Sequence, residues 1–329
     1  MQQSRTAAAL GGALALLQAV LIIAFAWAPI RTEPRDLPLG VAGPPPAVTQ
    51  VTEQLEGARP GAFAVTAYPD EAAARAAIED REVYGALVVG PQGAPHLLVA
   101  SAAGPAVAQL LTEVALGLSG EAAPDVAVTD VVAGSPDDPR GAGFAAMILP
   151  LVMSGLAASA LLAFQLSSAR DRLIALSVFA LGAGLVSTLV SVSWLGILPS
   201  SSFWTVAGVD ALVSFAVPAA IVGLASVLGP AGFGLGSATM FLLGNPFSGA
   251  AGAPELLPEP WGALGQYLPP GAAASLMRSA VYFDGAAATG PLLVLVSFAV
   301  AGVTLLLFGG GRKRTTPRHA AADEPVLTV

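Results

Sequence analysis

Few side chains in this 329-residue chain are of a type that does chemistry, and they fall in four places. Asp210 stands alone inside the apolar run TVAGVDALVSFAVPAA. An ionisable group at such a depth costs about 3 kcal/mol on insertion scales, which makes it a candidate proton or substrate contact. The competing reading is that Asp210 reaches the interface two turns from Trp204, or is hydrogen-bonded between helices. Arg170-Asp171-Arg172 forms a compact charged turn between two apolar runs, suited to anchoring topology or to docking a partner. Glu255, Glu259, Arg278 and Asp284 lie in a Gly- and Pro-rich stretch, where Arg278 pairs with Asp284 or with a headgroup. Asp137-Asp138 sits in a Pro-flanked linker and is a weak candidate for calcium.

These four groups do not make an enzyme. No nucleophile–base set is visible. The chain lacks Cys, so disulfides and thiolate metal sites are excluded, and its two His, His96 and His319, cannot make a His-rich metal centre. No GxxxxGK[ST], HExxH, CxxC or GxSxG sequence occurs, so no P-loop binds ATP here. No metal or cofactor is expected. The acidic run Glu79, Asp80, Glu82 reads as a solvated face.

The elements that must hold these groups are mostly apolar. The chain is 55% hydrophobic and 11% charged, against about 25% charged in soluble domains, and its mean hydropathy is +0.73. The charge is uneven: residues 31–140 hold 15 acids and 6 bases, whereas the rest holds 7 acids and 8 bases. An acidic, water-exposed module is thus set in a nearly neutral membrane protein. Without a basic stripe, nucleic acid is excluded as a partner.

Residues 1–30 contain the first span, Ala7–Ile30. A cleaved signal peptide is the alternative, but Ala26-Trp27-Ala28-Pro29 is a poor cleavage site and Trp27 falls where an interfacial aromatic belongs. Residues 31–140 read as a small α/β domain. Its strands are Leu37–Gly43, Ala62–Tyr68, Val83–Gly90, His96–Ser101 and Asp125–Ala133. Asp70 caps a helix over Asp70–Asp80, Pro105–Leu118 is a second helix, and Pro91–Pro95 is a hairpin-length loop. Residues 141–311 supply five more spans: Gly143–Leu166, Leu173–Leu198, Phe203–Leu228, a short Gly-rich one at Gly232–Leu243, and Leu292–Phe308. Pro218 is a packing kink. Ser154-Gly155 and Gly236-Ser237 are small residues for close helix packing. A tail, 312–329, is basic at Arg312, Lys313, Arg314 and Arg318, then acidic. The fold expected is a six-span helical membrane protein with an extracytoplasmic α/β domain between the first and second helices.

Lys and Arg near span ends favour the cytoplasm. Arg5, the Arg170–Arg172 turn and the tail share one side, so both termini are expected inside the cell membrane and residues 31–140 outside. The stretch 244–285 then lies outside too, as a partly re-entrant hairpin hinged at Pro269-Pro270-Gly271. Trp261, Tyr267, Tyr282 and Phe283 read as interfacial aromatics.

Four phrases carry a family likeness: REVYGALVV at Arg81–Val89, LLVASAAGPAVAQLL at Leu97–Leu111, DDPRGAGFAAMILPLVMSG at Asp137–Gly155, and the whole of Gly244–Gly285. With the layout, they resemble ABC-2 type transporter permeases with a large extracytoplasmic domain, the actinobacterial membrane proteins related to the YhgE/Pip group. The resemblance implies an exporter of an amphiphilic drug, lipid or peptide. It implies a separate ABC ATP-binding subunit, and pairing with a second permease copy or a sister permease in the lipid bilayer. Coupling to the ATPase would run through Ser167–Arg172, on Arg170, Asp171 and Arg172. Short re-entrant helices would cap the exit, with Asn245, Glu255, Trp261, Arg278 and Asp284 as their candidate residues. The chain departs from that pattern before Ala7, where six residues leave no amphipathic cytoplasmic helix. The alternative is a non-transporting scaffold or receptor whose outer domain binds a cell-envelope or secretion partner.

Overall fold

The computed structural model describes residues 2–90, 95–119 and 126–310. The loop expected at Pro91–Pro95 and the basic tail with His319 therefore fall wholly or mostly outside the described residues.

The chain opens with α1 (Gln2–Ala26), a 25-residue helix. Its residues 3–20 are all exposed. Its end is fixed by Phe25 on Phe241, ring centroids 5.0 Å apart, and by Trp27 edge-on to Phe247 at 6.3 Å. Apolar side chains so exposed are at home only in hydrocarbon.

A five-stranded sheet follows, in the order β2-β1-β3-β4-β5. It is built from β1 (Leu37–Ala42), α2 (Pro45–Ala58), β2 (Phe63–Tyr68), α3 (Glu71–Glu79), β3 (Gly85–Val89), β4 (Pro95–Val99), α4 (Pro105–Ser119) and β5 (Ala127–Asp130). All five expected strands form. β1 pairs parallel with β2 and β3 through two helical crossovers, β3 and β4 pair antiparallel, and β5 returns parallel to β4. Asp70 caps α3, accepting from the Ala73 N–H at 2.9 Å. Helix α2 was not expected from the sequence. It begins at Pro45, where the missing N–H costs nothing, and of its side chains only Leu55 is buried.

Alternation along the strands sends Leu37, Leu39, Leu87 and Leu97 to one face, under α2 and α4. Ala42, Ala86 and Leu98 face the other way, against Ile78 of α3. Neither core is closed by the domain itself. Ala253 and Leu256 complete the first and Phe283 completes the second, and all three lie far along the chain, beyond residue 140.

The remaining helices are α5 (Ala142–Gln165), α6 (Ala169–Thr188, continued by a π-helical turn Leu189–Trp194), α7 (Phe203–Leu228), α8 (Pro230–Ala238, continued by a π turn Thr239–Gly244), α9 (Trp261–Gln266), α10 (Pro269–Tyr282) and α11 (Thr289–Gly310). Five helices, α1, α5, α6, α7 and α11, are long and apolar enough to cross a bilayer, so the chain is a multi-pass helical membrane protein. The sixth expected span is the short one: it runs from Phe233, edge-on to Phe164 near the end of α5, to Phe241 on Phe25 at the end of α1. Nine α-helical and six π-helical residues reach about 22 Å at about 1.5 Å per residue, below a hydrocarbon core of about 30 Å. The Gly229-Pro230 turn starts this helix directly after α7, and Pro246 cannot extend it.

Helix α7 is the hub. Its buried face meets α5 where Gly155 lies against Val217 and Pro218, α6 where Gly184 lies against Ala207 and Ala211, and α11 where Gly302 lies against Ala219. These contacts involve residues too small to hold helices apart, as close packing in lipid requires. Pro218 therefore serves as a packing surface for Gly155.

Asp138, weighed above as a calcium ligand, caps α5. Its carboxylate accepts from the Gly143 N–H at 3.0 Å and the Phe144 N–H at 2.8 Å. Among the described residues no group of three His, Cys, Asp or Glu is placed to hold a metal. Asp138→Ala should lower stability by about 1–2 kcal/mol, through two lost N-terminal hydrogen bonds and a lost favourable charge at the helix dipole. Denaturant titration of the purified chain in micelles would measure it, with Asp138→Asn losing less.

Candidate functional site

Residues 245–288 form a cap on the bundle and reach into the α/β domain. The junction begins with backbone pairing: the Glu33 N–H donates to the Leu256 carbonyl at 3.1 Å, and the Arg35 N–H to the Glu255 carbonyl at 3.0 Å. Above it the Tyr84 hydroxyl donates to Glu255 Oε2 at 2.8 Å. Arg81, in the left-handed region at φ 60°, donates to the Ser275 carbonyl at 3.1 Å and to the Ser279 hydroxyl. Its guanidinium lies 5.2 Å over the Phe283 ring. Ser275 in turn donates to Gln266 Oε1 at 2.6 Å, and Gln266 donates to the Ser248 carbonyl at 3.0 Å. Arg81, Tyr84, Glu255, Gln266 and Ser275 line a cleft of about 280 Å³ between domain and cap. Burial, reinforced by the Glu255 carboxylate, pushes the Tyr84 hydroxyl well above its usual range, so it stays a donor. Burial lowers the Arg81 guanidinium.

Arg278 does not pair with Asp284. Asp284 is exposed, at φ 49°, on the turn after α10. Arg278 is 4% exposed. Its Nη1 and Nη2 donate to the Gly249 and Ala250 carbonyls at 3.3 and 2.6 Å, and its guanidinium lies 4.7 Å over the Phe144 ring of α5. Burial pushes the guanidinium down to about 10, opposed by Tyr84 and aided by the Arg81 charge. A cation so placed costs stability while charged. In return the planar fork fixes two carbonyls and one ring at once, which a lysine could not do.

The other cap candidates are placed as follows. Trp261 stacks on Phe247 at 4.9 Å and 21°. With Trp27 edge-on to Phe247 and Arg31 5.1 Å over Trp27, it ties α1 to the cap. Asn245 is half-buried where the π turn of α8 ends. Glu259 is exposed. The expected hinge at Pro269-Pro270-Gly271 is instead the start of α10, with both prolines in its first turn.

Asp210 does not reach the interface. It is fully buried in α7 and accepts from the Ser187 hydroxyl of α6 through Oδ2. Among the described residues its Oδ1 has no hydrogen-bond partner, and the hydroxyls of Ser191, Ser214 and Ser237 are likewise buried and unpartnered. It is thus a polar tie between helices, with hydrogen-bonding capacity to spare.

At the far end of the bundle the expected loop Ser167–Arg172 is shorter than expected. Ser168 caps α6 by accepting from the Asp171 N–H at 3.5 Å, so Arg170, Asp171 and Arg172 form the first turn of that helix. Only residues 166–168 link α5 to α6. Arg172 is a staple: it donates to the Leu166 carbonyl at 2.9 Å, the Ser226 hydroxyl of α7 at 2.8 Å and the Ala163 carbonyl at 2.9 Å. Arg170 and Asp171 are exposed.

The structure therefore brings Glu255 and Arg278 into one junction and leaves Asp210, the Arg170–Arg172 turn and Asp284 apart from it. The sequence reading missed Arg81, Tyr84, Gln266 and Ser275. The one available signal was an Arg and a Tyr just before β3 in REVYGALVV. No protein-family model, curated protein or solved structure matches the chain.

Proposed function

We propose that the chain is the membrane permease subunit of an ABC-2 type exporter. A separate ATP-binding subunit powers it, and it moves an amphiphilic substrate outward between two permease copies. In this reading the α/β domain and the cap lie outside and the α5–α6 turn faces the cytoplasm. One observation carries it. Helix α5 begins with Phe144 directly beneath Arg278 of the cap and ends at Gln165, three residues before α6, whose first turn exposes Arg170 and Asp171. A push on that turn is thus transmitted along one 24-residue helix to the cap, about 36 Å away at about 1.5 Å per residue. The lack of any ATP-binding motif fits a chain driven from outside itself.

The test is to mix the purified chain with the ATP-binding protein encoded by the neighbouring gene. A complex should form and ATP turnover should change. Arg170→Ala with Asp171→Ala should abolish the change without unfolding the chain, because both side chains are exposed. If neither complex nor altered turnover is seen, the reading fails.

The second reading, a scaffold or receptor whose domain binds an envelope or secretion partner, draws on the seams of α7. Gly155, Gly184 and Gly302 pack so closely that one copy is closed along these contacts. Full biological function of the Arg170→Ala/Asp171→Ala variant would favour it.

A further inference from the structure

A second cleft, of about 590 Å³, opens between the end of α1, the first half of α5 and the cap loop at residues 245–257. Its size falls within the range of about 300–1,000 Å³ typical of small-molecule sites. Its lining is unlike that of the domain–cap cleft, for no ionisable side chain takes part. Phe25, Leu149 and Leu257 supply apolar walls. The polar groups sit at the cap end, where two of the three hydroxyl or amide side chains are engaged. Thr32 donates to the Pro29 carbonyl at 2.9 Å, and Ser248 donates to the Asn245 carbonyl at 2.9 Å. The Asn245 side-chain amide makes no hydrogen bond among the described residues.

The α5 wall adds an acceptor. Pro150 has no N–H, so the carbonyl of Ala146, four residues before it, lacks its usual helical hydrogen bond. Both residues line the cleft. In hydrocarbon an unpaired carbonyl costs several kcal/mol unless something donates to it. The cleft thus offers an apolar trough, one free acceptor in Ala146, and in Asn245 an amide that can donate or accept. The cations around the cleft are engaged elsewhere: Arg35 pairs with Glu33 and donates to the Leu256 carbonyl, Arg31 lies over the Trp27 ring, and Arg278 turns its N–H groups to Gly249 and Ala250.

We infer that this cleft binds a long-chain amphiphile with an uncharged, hydroxyl-bearing head, of the monoacylglycerol type. The hydroxyl donates to the Ala146 carbonyl, the Asn245 amide holds the head, and the chain lies along α5 and Phe25. In the wall itself an anionic head would meet no cation, and a cationic head no carboxylate. That this amphiphile is the exported cargo rests on the exporter reading; that it binds does not.

The test uses the full chain in phosphatidylcholine vesicles, without any ATPase, and a diazirine-bearing monoacylglycerol. Irradiation should label peptides spanning 142–150 and 245–257. Mono-oleoylglycerol should compete, and oleate or phosphatidylglycerol should not. Asn245→Ala should weaken binding about 5-fold, the loss of one ordinary hydrogen bond. Ala251→Trp, at an exposed position in the cleft wall, should block labelling while the chain stays folded. Equal competition by oleate or phosphatidylglycerol would overturn the inference, as would undiminished labelling of Ala251→Trp. Efficient self-crosslinking of an Ala251→Cys variant, showing the cleft covered by a second copy, would overturn it too. If labelling behaves as expected but mono-oleoylglycerol leaves ATP turnover of the ATPase complex unchanged, the cargo role fails and the site stands.

Discussion

Gly302→Ala should destabilise the bundle by about 3 kcal/mol, and Gly302→Leu by more. A Cβ at residue 302 overlaps the Ala219 carbonyl group and the Ala220 nitrogen of α7. These are backbone atoms of a fully packed helix, so no side chain can swing aside. Overpacking a core costs about 1–3 kcal/mol where neighbours can yield, and here they cannot. Lipid offers no hydrophobic push to hold the helices together once the contact is lost. The same helix supplies its own control. At Gly290 a methyl group would meet open space, with no neighbouring atom within 4 Å, so Gly290→Ala should be neutral or gain up to about 1 kcal/mol in helix propensity. Denaturant midpoints in micelles would compare the two. Equal midpoints would mean that α11 does not rest on α7 through Gly302.

The contrast between Gly302 and Gly290 shows how much the sequence could say. Apolar length alone located α5, α6, α7 and α11 to within a few residues, because a bilayer demands long runs and little else. Alternation and turn residues likewise located the five strands. Helix α2 escaped because it starts inside a run of three prolines, Pro44–Pro46, and buries one leucine. The sixth span is short because Gly232–Leu243 is apolar enough but is bounded by Pro230 and Pro246.

The candidate site was less legible. Asp210 and Arg278 stood out as rare charges in apolar surroundings, a sound reason for notice. Their partners did not, since Arg278 binds two backbone carbonyls and a ring, and any residue carries a carbonyl. Arg172 looked like a free coupling charge until its three acceptors placed it as a staple. Residues of the cap entered both cores of the α/β domain for a reason no local pattern encodes: Leu256 and Phe283 look like any apolar residues in a segment full of them.

Those two residues make the second large expectation. Leu256 is 4% exposed and Phe283 5% exposed, and they close opposite faces of one sheet. Leu256→Ala should cost about 2–5 kcal/mol and Phe283→Ala about 3–5 kcal/mol, by lost burial and the cavity left behind. Phe283→Ala also removes the ring under Arg81. Because the residues lie on opposite faces and the two clusters share only the partly buried Tyr84, their effects should nearly add. The double variant should then free the domain from the cap while leaving the bundle intact. Limited proteolysis would show it, as rapid cleavage between residues 30 and 37 and after 283 with α5–α7 still protected. In the exporter reading this variant keeps its ATPase complex, since the α5–α6 turn is untouched, but loses transport. A scaffold would lose its outer partner instead. The pair of readouts therefore separates the two functions at the same junction, and a double variant that still transports would remove the cap from the mechanism.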